Sequence, residues 1–294
     1  MNLRLIDAAM DSYKELDQGD VNRLVFFRSV WGLQAASAQE CACSWEAPEQ
    51  ALLADACARE LPLFKLCPVQ VDAQRFARDA HDISACITGK GLMEPSVAEP
   101  LAQLDWLQLV SAAGLELAGS EPAAFLDELA AGLVDGGVAV AAAVAAAQVA
   151  SLALRCQLEQ PAQRALAALR AAKLFDTNHP LLCPCCGSEP ALSHVGGQTS
   201  SQGRGRLLVC AQCGCTWEFQ RIRCARCGQT NPGHLHYFSL EGDDAHRLHL
   251  CDDCGGYMRT LFSEKESLAP VSYEVEDVIM ARLDAVAHDP RLRS

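Results

Sequence analysis

Residues 183–187 read Cys-Pro-Cys-Cys-Gly, residues 210–214 Cys-Ala-Gln-Cys-Gly, residues 224–228 Cys-Ala-Arg-Cys-Gly and residues 251–255 Cys-Asp-Asp-Cys-Gly. Four C-x-x-C pairs therefore end in the same glycine, and 23, 10 and 23 residues separate successive pairs. Adding 41 to Cys183, Cys186, Cys210 and Cys213 gives Cys224, Cys227, Cys251 and Cys254. The register also carries Arg206 onto Arg247, Leu207 onto Leu248 and each knuckle glycine onto its counterpart. This is an internal duplication, and its unit is a knuckle, a loop or hairpin, a strand and a second knuckle.

Coordination chemistry explains the spacing. Two thiolates three positions apart, on a turn closed by a glycine free to take positive φ, can both reach one tetrahedral ion at about 2.3 Å. Two such knuckles complete a closed S4 shell. The interval inside each unit slightly exceeds that of common zinc-binding templates, and the surplus fits a hairpin excursion such as His194 to Gly205. Pairing Cys183/Cys186 with Cys210/Cys213, and Cys224/Cys227 with Cys251/Cys254, keeps each site within one repeat; pairing across repeats is the alternative.

Other fates for these cysteines fit less well. Disulfides need an oxidising compartment, yet residues 1–18 alternate charged and apolar side chains with no continuous apolar core for export, which places the protein in the cytoplasm. A thioredoxin-like motif would follow a strand in a βαβ pattern, which four evenly repeated motifs do not offer. Buried inert thiols suit Cys41, Cys43, Cys57, Cys67, Cys86 and Cys156, which share no register. Cys185 and Cys215 adjoin ligand positions but have Arg226 and Gly256 as counterparts, and read as bystanders. His194, His234, His236, His246 and His249 crowd the segment, but the complete cysteine set leaves them outside the shells.

The chain has 294 residues, 50% hydrophobic and 21% charged, with a net charge of −13. That is enough for a globular core, and two domains are expected. Residues 181–262 balance seven arginines against seven carboxylates, and four thiolates around a divalent ion add two negative charges per site. A nucleic-acid-binding ribbon needs a basic face to displace counterions, so this composition excludes it.

The first 178 residues predict helices. Asp20 is the expected N-cap of a segment whose Phe26, Phe27, Val30 and Trp31 form an apolar stripe. Ser120-Glu121-Pro122 opens another helix, with a capping side chain and proline in the first turn, and Gly136-Gly137 closes it. Residues 138–154 are nearly all Ala and Val. Alanine transfers weakly into lipid, Gln148 and Ser151 interrupt the run, and it falls short of the roughly 20 residues a bilayer needs, so it reads as a buried helix without membrane insertion. Pro161 should break it, with a further helix over 162–173 and a linker at 176–180. No strand is expected before residue 180, and residues 275–287 suggest a docking helix.

Catalytic motifs do not emerge: there is no phosphate-cradling glycine loop, dinucleotide fingerprint, His-Glu-x-x-His or Gly-x-Ser-x-Gly. Asp127 with Glu128, and Asp252 with Asp253, read as solvated pairs. The expectation is a protein without an active site, whose closed S4 shells leave electron transfer as the main metal chemistry.

The run from Cys183 to Pro190, Cys210 to Cys213 with Trp217, Arg221 and Arg223 before Cys224, Leu235 to Leu240, and Cys251 to Cys254 with Tyr257 resembles the formate dehydrogenase accessory protein (FdhE) family. Asp277 with Leu283-Asp284 is similar to that family's C-terminal helix. The resemblance implies a biogenesis factor that binds the catalytic subunit of a formate dehydrogenase and holds rubredoxin-like iron, so two metal ions are expected, with iron favoured over zinc. A rubredoxin-like electron carrier and a zinc-ribbon scaffold for another complex are the alternatives. Trp217 and Tyr257 each follow a knuckle, as a hydrophobic lid over the metal or as a partner contact. The expected architecture is an all-α domain over 1–178, two tandem rubredoxin-like or zinc-ribbon-like metal-binding repeats over 179–222 and 223–268, and a helical tail over 269–294. Loss of one ligand is expected to unfold its own repeat and spare the helices.

Overall fold

The computed structural model describes residues 1–40, 43–91, 93–174, 179–196, 205–263 and 270–288. Cys41, residues 176–178 of the expected linker and most of the hairpin excursion lie outside them. Nine helices precede the knuckles among the described residues: α1 (Leu3–Ser12), α2 (Gln18–Glu40), α3 (Gln50–Ala58), α4 (Leu63–Leu66), α5 (Ala73–Thr88), α6 (Pro95–Ala102), α7 (Ala112–Ser120), α8 (Pro122–Asp135) and α9 (Val140–Ala171).

Helix α9 organises this half. Ala143, Ala146, Ala150 and Ala153 are wholly buried, so α2, α5, α6 and α8 can pack closely along it. It is long and apolar enough to cross a membrane, but more than half of its apolar window is buried inside the protein. Pro161 does not break it: the helix runs on to Ala171. Leu154, Leu158, Ala162 and Ala165 on both sides of the proline are also wholly buried. Their shared burial outweighs the roughly 3 kcal/mol that an interior proline costs.

Two caps also differ from expectation. Asp17 rather than Asp20 caps α2, accepting the Asp20 amide at 2.7 Å, while Asp20 lies buried in the first turn against Arg23. Pro122 opens α8 as expected, but Ser120 turns back to the Glu116 carbonyl of α7 and leaves the α8 amides uncapped. Gly136 and Gly137, the latter at φ +90°, end α8.

The repeats contribute β1 (Pro190–Gly196), β2 (Arg206–Cys210) and β3 (Thr216–Phe219), then β4 (Leu235–Ser239), β5 (His246–Cys251) and β6 (Tyr257–Ser263). They form one six-stranded sheet in the order β3-β2-β1-β6-β5-β4. Neighbours are antiparallel except at the junction, where β1 runs parallel to β6, Ser193 opposite Thr260. The first strand of one repeat thus meets the last strand of the other in the same direction, so the units sit side by side in like orientation.

Alternation assigns the two faces of the sheet. Leu192, Val209, Leu248 and Leu261 pack under the C-terminal helix α10 (Tyr273–Ala287) through Met280 and Leu283. Leu208, Trp217, Phe219 and Met258 point the other way and join the core of the helical half. The helical region, the metal-binding repeats and the tail helix all appear as expected, but the first repeat merges with the helical core.

Candidate metal centres

Each knuckle is a tight backbone loop. The Gly187 amide donates to the Cys183 carbonyl and the Cys183 amide to the Ser188 carbonyl; the same pair of bonds recurs around Cys224 and Gly228. Gly187, Gly214, Gly228 and Gly255 sit at φ +76°, +70°, +82° and +63°, the left-handed region the sequence reading assigned them. That twist brings both sulfurs of a knuckle to one side.

The sulfurs of Cys183, Cys186, Cys210 and Cys213 lie within 4.8 Å of one another, as do those of Cys224, Cys227, Cys251 and Cys254. Each set draws on one repeat only. The sulfurs of Cys183 and Cys213 are 3.6 Å apart and those of Cys186 and Cys210 3.4 Å; in the second repeat, Cys224 and Cys254 are 3.8 Å apart and Cys227 and Cys251 3.7 Å. A 2.3 Å metal–sulfur bond sets a tetrahedral edge of about 3.8 Å, so both cages fit one ion each. Backbone amides further suit them to thiolates: those of Gln212 and Cys213 approach Cys210 Sγ at 3.3 and 3.4 Å, and that of Arg226 approaches Cys224 Sγ at 3.3 Å.

Electrostatics agrees with the geometry. Burial works against ionising Cys183, yet the surrounding thiols, Cys185, Cys186, Cys210 and Cys213, hold it well below the ordinary thiol range. Cys224, its counterpart, is lowered as well, burial there being outweighed by the backbone of Cys227 and Arg226. Cys210 and Cys213 are pushed up, first by burial and then by neighbouring thiols. A bare cage thus favours one thiolate; a divalent ion ionises all four.

The first cage is clamped by helices. The Leu63 and Phe64 amides, at the start of α4, donate to the Pro184 and Cys185 carbonyls at 2.9 Å. Ser151 of α9 donates to the Gln212 side chain at 2.7 Å, and the Gln212 amide group returns a bond to the Ser151 carbonyl. Arg155, also on α9, pairs with Glu274 at 2.6 Å and is held charged by Glu274 and the nearby Cys213 and Cys210 against the cost of burial. An arginine in an Ala/Val-rich helix is the sequence signal for this counter-charge, and no motif includes it.

Cys185 and Cys215 are less peripheral than expected. Their sulfurs form a second close group with Cys183, and Cys215 Sγ lies 3.2 Å from Cys183 Sγ, so six buried thiols surround the first site. No histidine enters either cage among the described residues. Trp217 is wholly buried with its indole N–H on the Pro180 carbonyl, which suits a lid and not a partner contact. Tyr257 is half-buried, edge-on to His288.

Known proteins share this segment. The family model described as FdhE, central domain, matches residues 182–221. A Cronobacter sakazakii protein named as an FdhE homolog is 39% identical over 107 residues, 35% of this chain and 33% of that protein. An Escherichia coli Protein FdhE is 40% identical over 104 residues, 35% of this chain and 32% of its own. The matched stretch thus spans about a third of these relatives. The crystal structure of the FdhE protein from Pseudomonas aeruginosa covers 97% of this chain and 88% of its own length with a TM-score of 0.54 at 20% identity, a likeness of fold. The chain resembles the FdhE family, in sequence over a stretch that includes the first two knuckles and in fold along almost its whole length.

Proposed function

We propose that this chain is an accessory protein that binds the catalytic subunit of a formate dehydrogenase and supports its assembly or activity. It carries two metal ions at Cys183, Cys186, Cys210, Cys213 and at Cys224, Cys227, Cys251, Cys254, turns over no substrate of its own and acts in the cytoplasm. The observation that carries this reading is the pair of closed four-sulfur cages, the first of which lies inside the stretch 182–221 that matches the FdhE central-domain model. Four sulfurs leave no open coordination position for hydrolytic chemistry, so the ions staple the fold or, if iron, exchange single electrons. Iron is favoured over zinc.

Deleting the gene should abolish formate dehydrogenase activity while its transcript persists, and the purified chain should capture the catalytic subunit. Normal formate oxidation in the deletion strain together with failed capture overturns the proposal. Anaerobic purification should yield two ions per chain, coloured if iron.

One observation favours a second reading as a one-electron carrier: Cys227 and Cys254 are exposed, which opens an edge of the second cage to a redox partner. That reading requires a reversible one-electron couple in voltammetry.

A further inference from the structure

The sheet face opposite α10 bears a cluster of arginines in excess of the negative charge around it among the described residues. A cavity of about 300 Å³ lies there, between the sheet and residues 221–226 that join the repeats. Arg206, Arg221, Arg223, Arg226 and Arg247 line it beside Cys224 and Cys251 of the second cage, and no carboxylate does among the described residues, so five guanidiniums exceed the two negative charges that a metallated cage would carry. Among the described residues only Arg226 of these has a carboxylate partner, Glu189, outside the cavity. In a chain of net charge −13 such a cluster does not follow from composition.

Arg206 is 2% exposed. Its Nη1 donates to the Arg223 carbonyl at 2.9 Å, while its Nε and Nη2 are buried without a partner. Those two atoms form one edge of the guanidinium, the fork that takes two oxygens of a single oxyanion. Leaving that edge empty is costly, since buried donors of a charged group that lack acceptors are among the most expensive groups in a protein. Arg247, the duplication's copy of Arg206, has its buried Nε likewise unpartnered and is held 4.2 Å above the Phe262 ring and 5.2 Å from that of Tyr237. The duplication thus supplies two pre-oriented guanidiniums to one cavity, walled partly by aromatic rings.

We propose that this cavity binds the phosphate group of a small molecule, with Arg206 and Arg247 as its principal ligands and Arg221 and Arg223 supplying further charge. A phosphate monoester, with up to two charges and three terminal oxygens, satisfies this excess of donors better than one carboxylate. The aromatic wall suits an ester whose organic part is flat.

The test is calorimetric titration of the full-length, metal-loaded protein with inorganic phosphate and with phenyl phosphate, at low and at raised salt. One site per chain is expected, tighter for phenyl phosphate and weakened by salt. Because Arg206 is buried in the fold, Arg247→Gln and Arg221→Gln are the informative variants. Arg247→Gln should weaken binding about ten- to a hundredfold, the worth of one charge-assisted pair, and exposed Arg221→Gln less. Arg78→Gln, on α5 and paired there with Glu40, should leave it unchanged. No saturable binding, or equal binding by the Arg247→Gln protein, overturns the proposal. Binding of a polyglutamate peptide in place of either phosphate also overturns it and gives the cavity to an acidic protein segment. So does absence of phosphate binding combined with metal loss from the Arg247→Gln protein, which makes the arginines counter-charges to the second cage alone.

Discussion

All four sulfurs of the first cage belong to buried residues, whereas two of the second, Cys227 and Cys254, are exposed. The sequence unit is the same; the surroundings are not. The first repeat shares one apolar core with the helices, which includes Cys183, Cys186, Cys210, Cys213, Leu208, Trp217 and Phe219. The second is held by α10 and by a polar cluster around His246. Duplication gave two equivalent cages, and docking onto the helices turned one into part of the core and left the other at the edge.

The largest effect that tests this contrast is Cys186→Ala. A closed zinc-type site supplies on the order of 10 kcal/mol, comparable with the whole stability of a domain. Because the cage is embedded in the helical core, its loss should melt the helices as well, which revises the expectation of an isolated local unfolding. Far-ultraviolet circular dichroism with metal analysis checks it. Native-like helical content and melting in the variant would show that the first cage is separable after all.

Cys254→Ala should do less. It should lose one ion, retain the other and keep the helical signal, while proteases cut first within residues 223–263. A chelator should likewise strip the intact protein in two phases, the exposed second cage emptying first. Simultaneous release of both ions, or slower loss from the second site, breaks the contrast.

What was readable in the sequence follows from which forces act locally. A 41-residue register of thiols and positive-φ glycines is a local signal, and it located both cages and their pairing within repeats. Whether Pro161 ends a helix depends on what packs on either side, and the burial of the alanines and leucines that keep α9 continuous is a long-range fact. Asp17 and Asp20 both suit an N-cap, and only the burial of Asp20 beside Arg23 separates them. The parallel junction of β1 with β6 pairs residues roughly 67 positions apart, such as Ser193 and Thr260, which no local pattern encodes. The arginine-lined cavity was hidden for the same reason: Arg206 and Arg247 were visible as a repeat position, but their convergence on one face needs that junction.

The next effect concerns how the second repeat is anchored. His246 of β5 bonds Asp243 and Glu276, each at 2.9 Å, while Tyr13, just past the end of α1, donates to the same Glu276 and Arg282 of α10 reaches Asp243 at 2.5 Å. Burial opposes charging the imidazole, but the bonds to Asp243 and Glu276 prevail and raise it to about 9. A folded-state value above the ordinary one means that the stabilisation is fully present below about pH 6.5 and fades as pH climbs toward 9, up to about 3 kcal/mol in all. The melting temperature should therefore fall over that range in the native protein and be flat in His246→Gln. Equal slopes in both would remove His246 from the anchor.

The smallest effect is expected at the seam between the repeats. Arg226, in the first knuckle of the second unit, pairs with Glu189, just past the first knuckle of the first unit, and their side chains are 35% and 67% exposed. Solvent and salt screen such a pair, so Arg226→Ala should change stability by no more than about 1 kcal/mol, and by less at raised ionic strength. The parallel β1–β6 pairing and the common cover of α10 already join the two units, and an exposed ion pair adds little to a seam so bonded. A denaturant titration of Arg226→Ala that shows a separate early transition for the second repeat would mean that the charge pair, not the sheet, holds the units together.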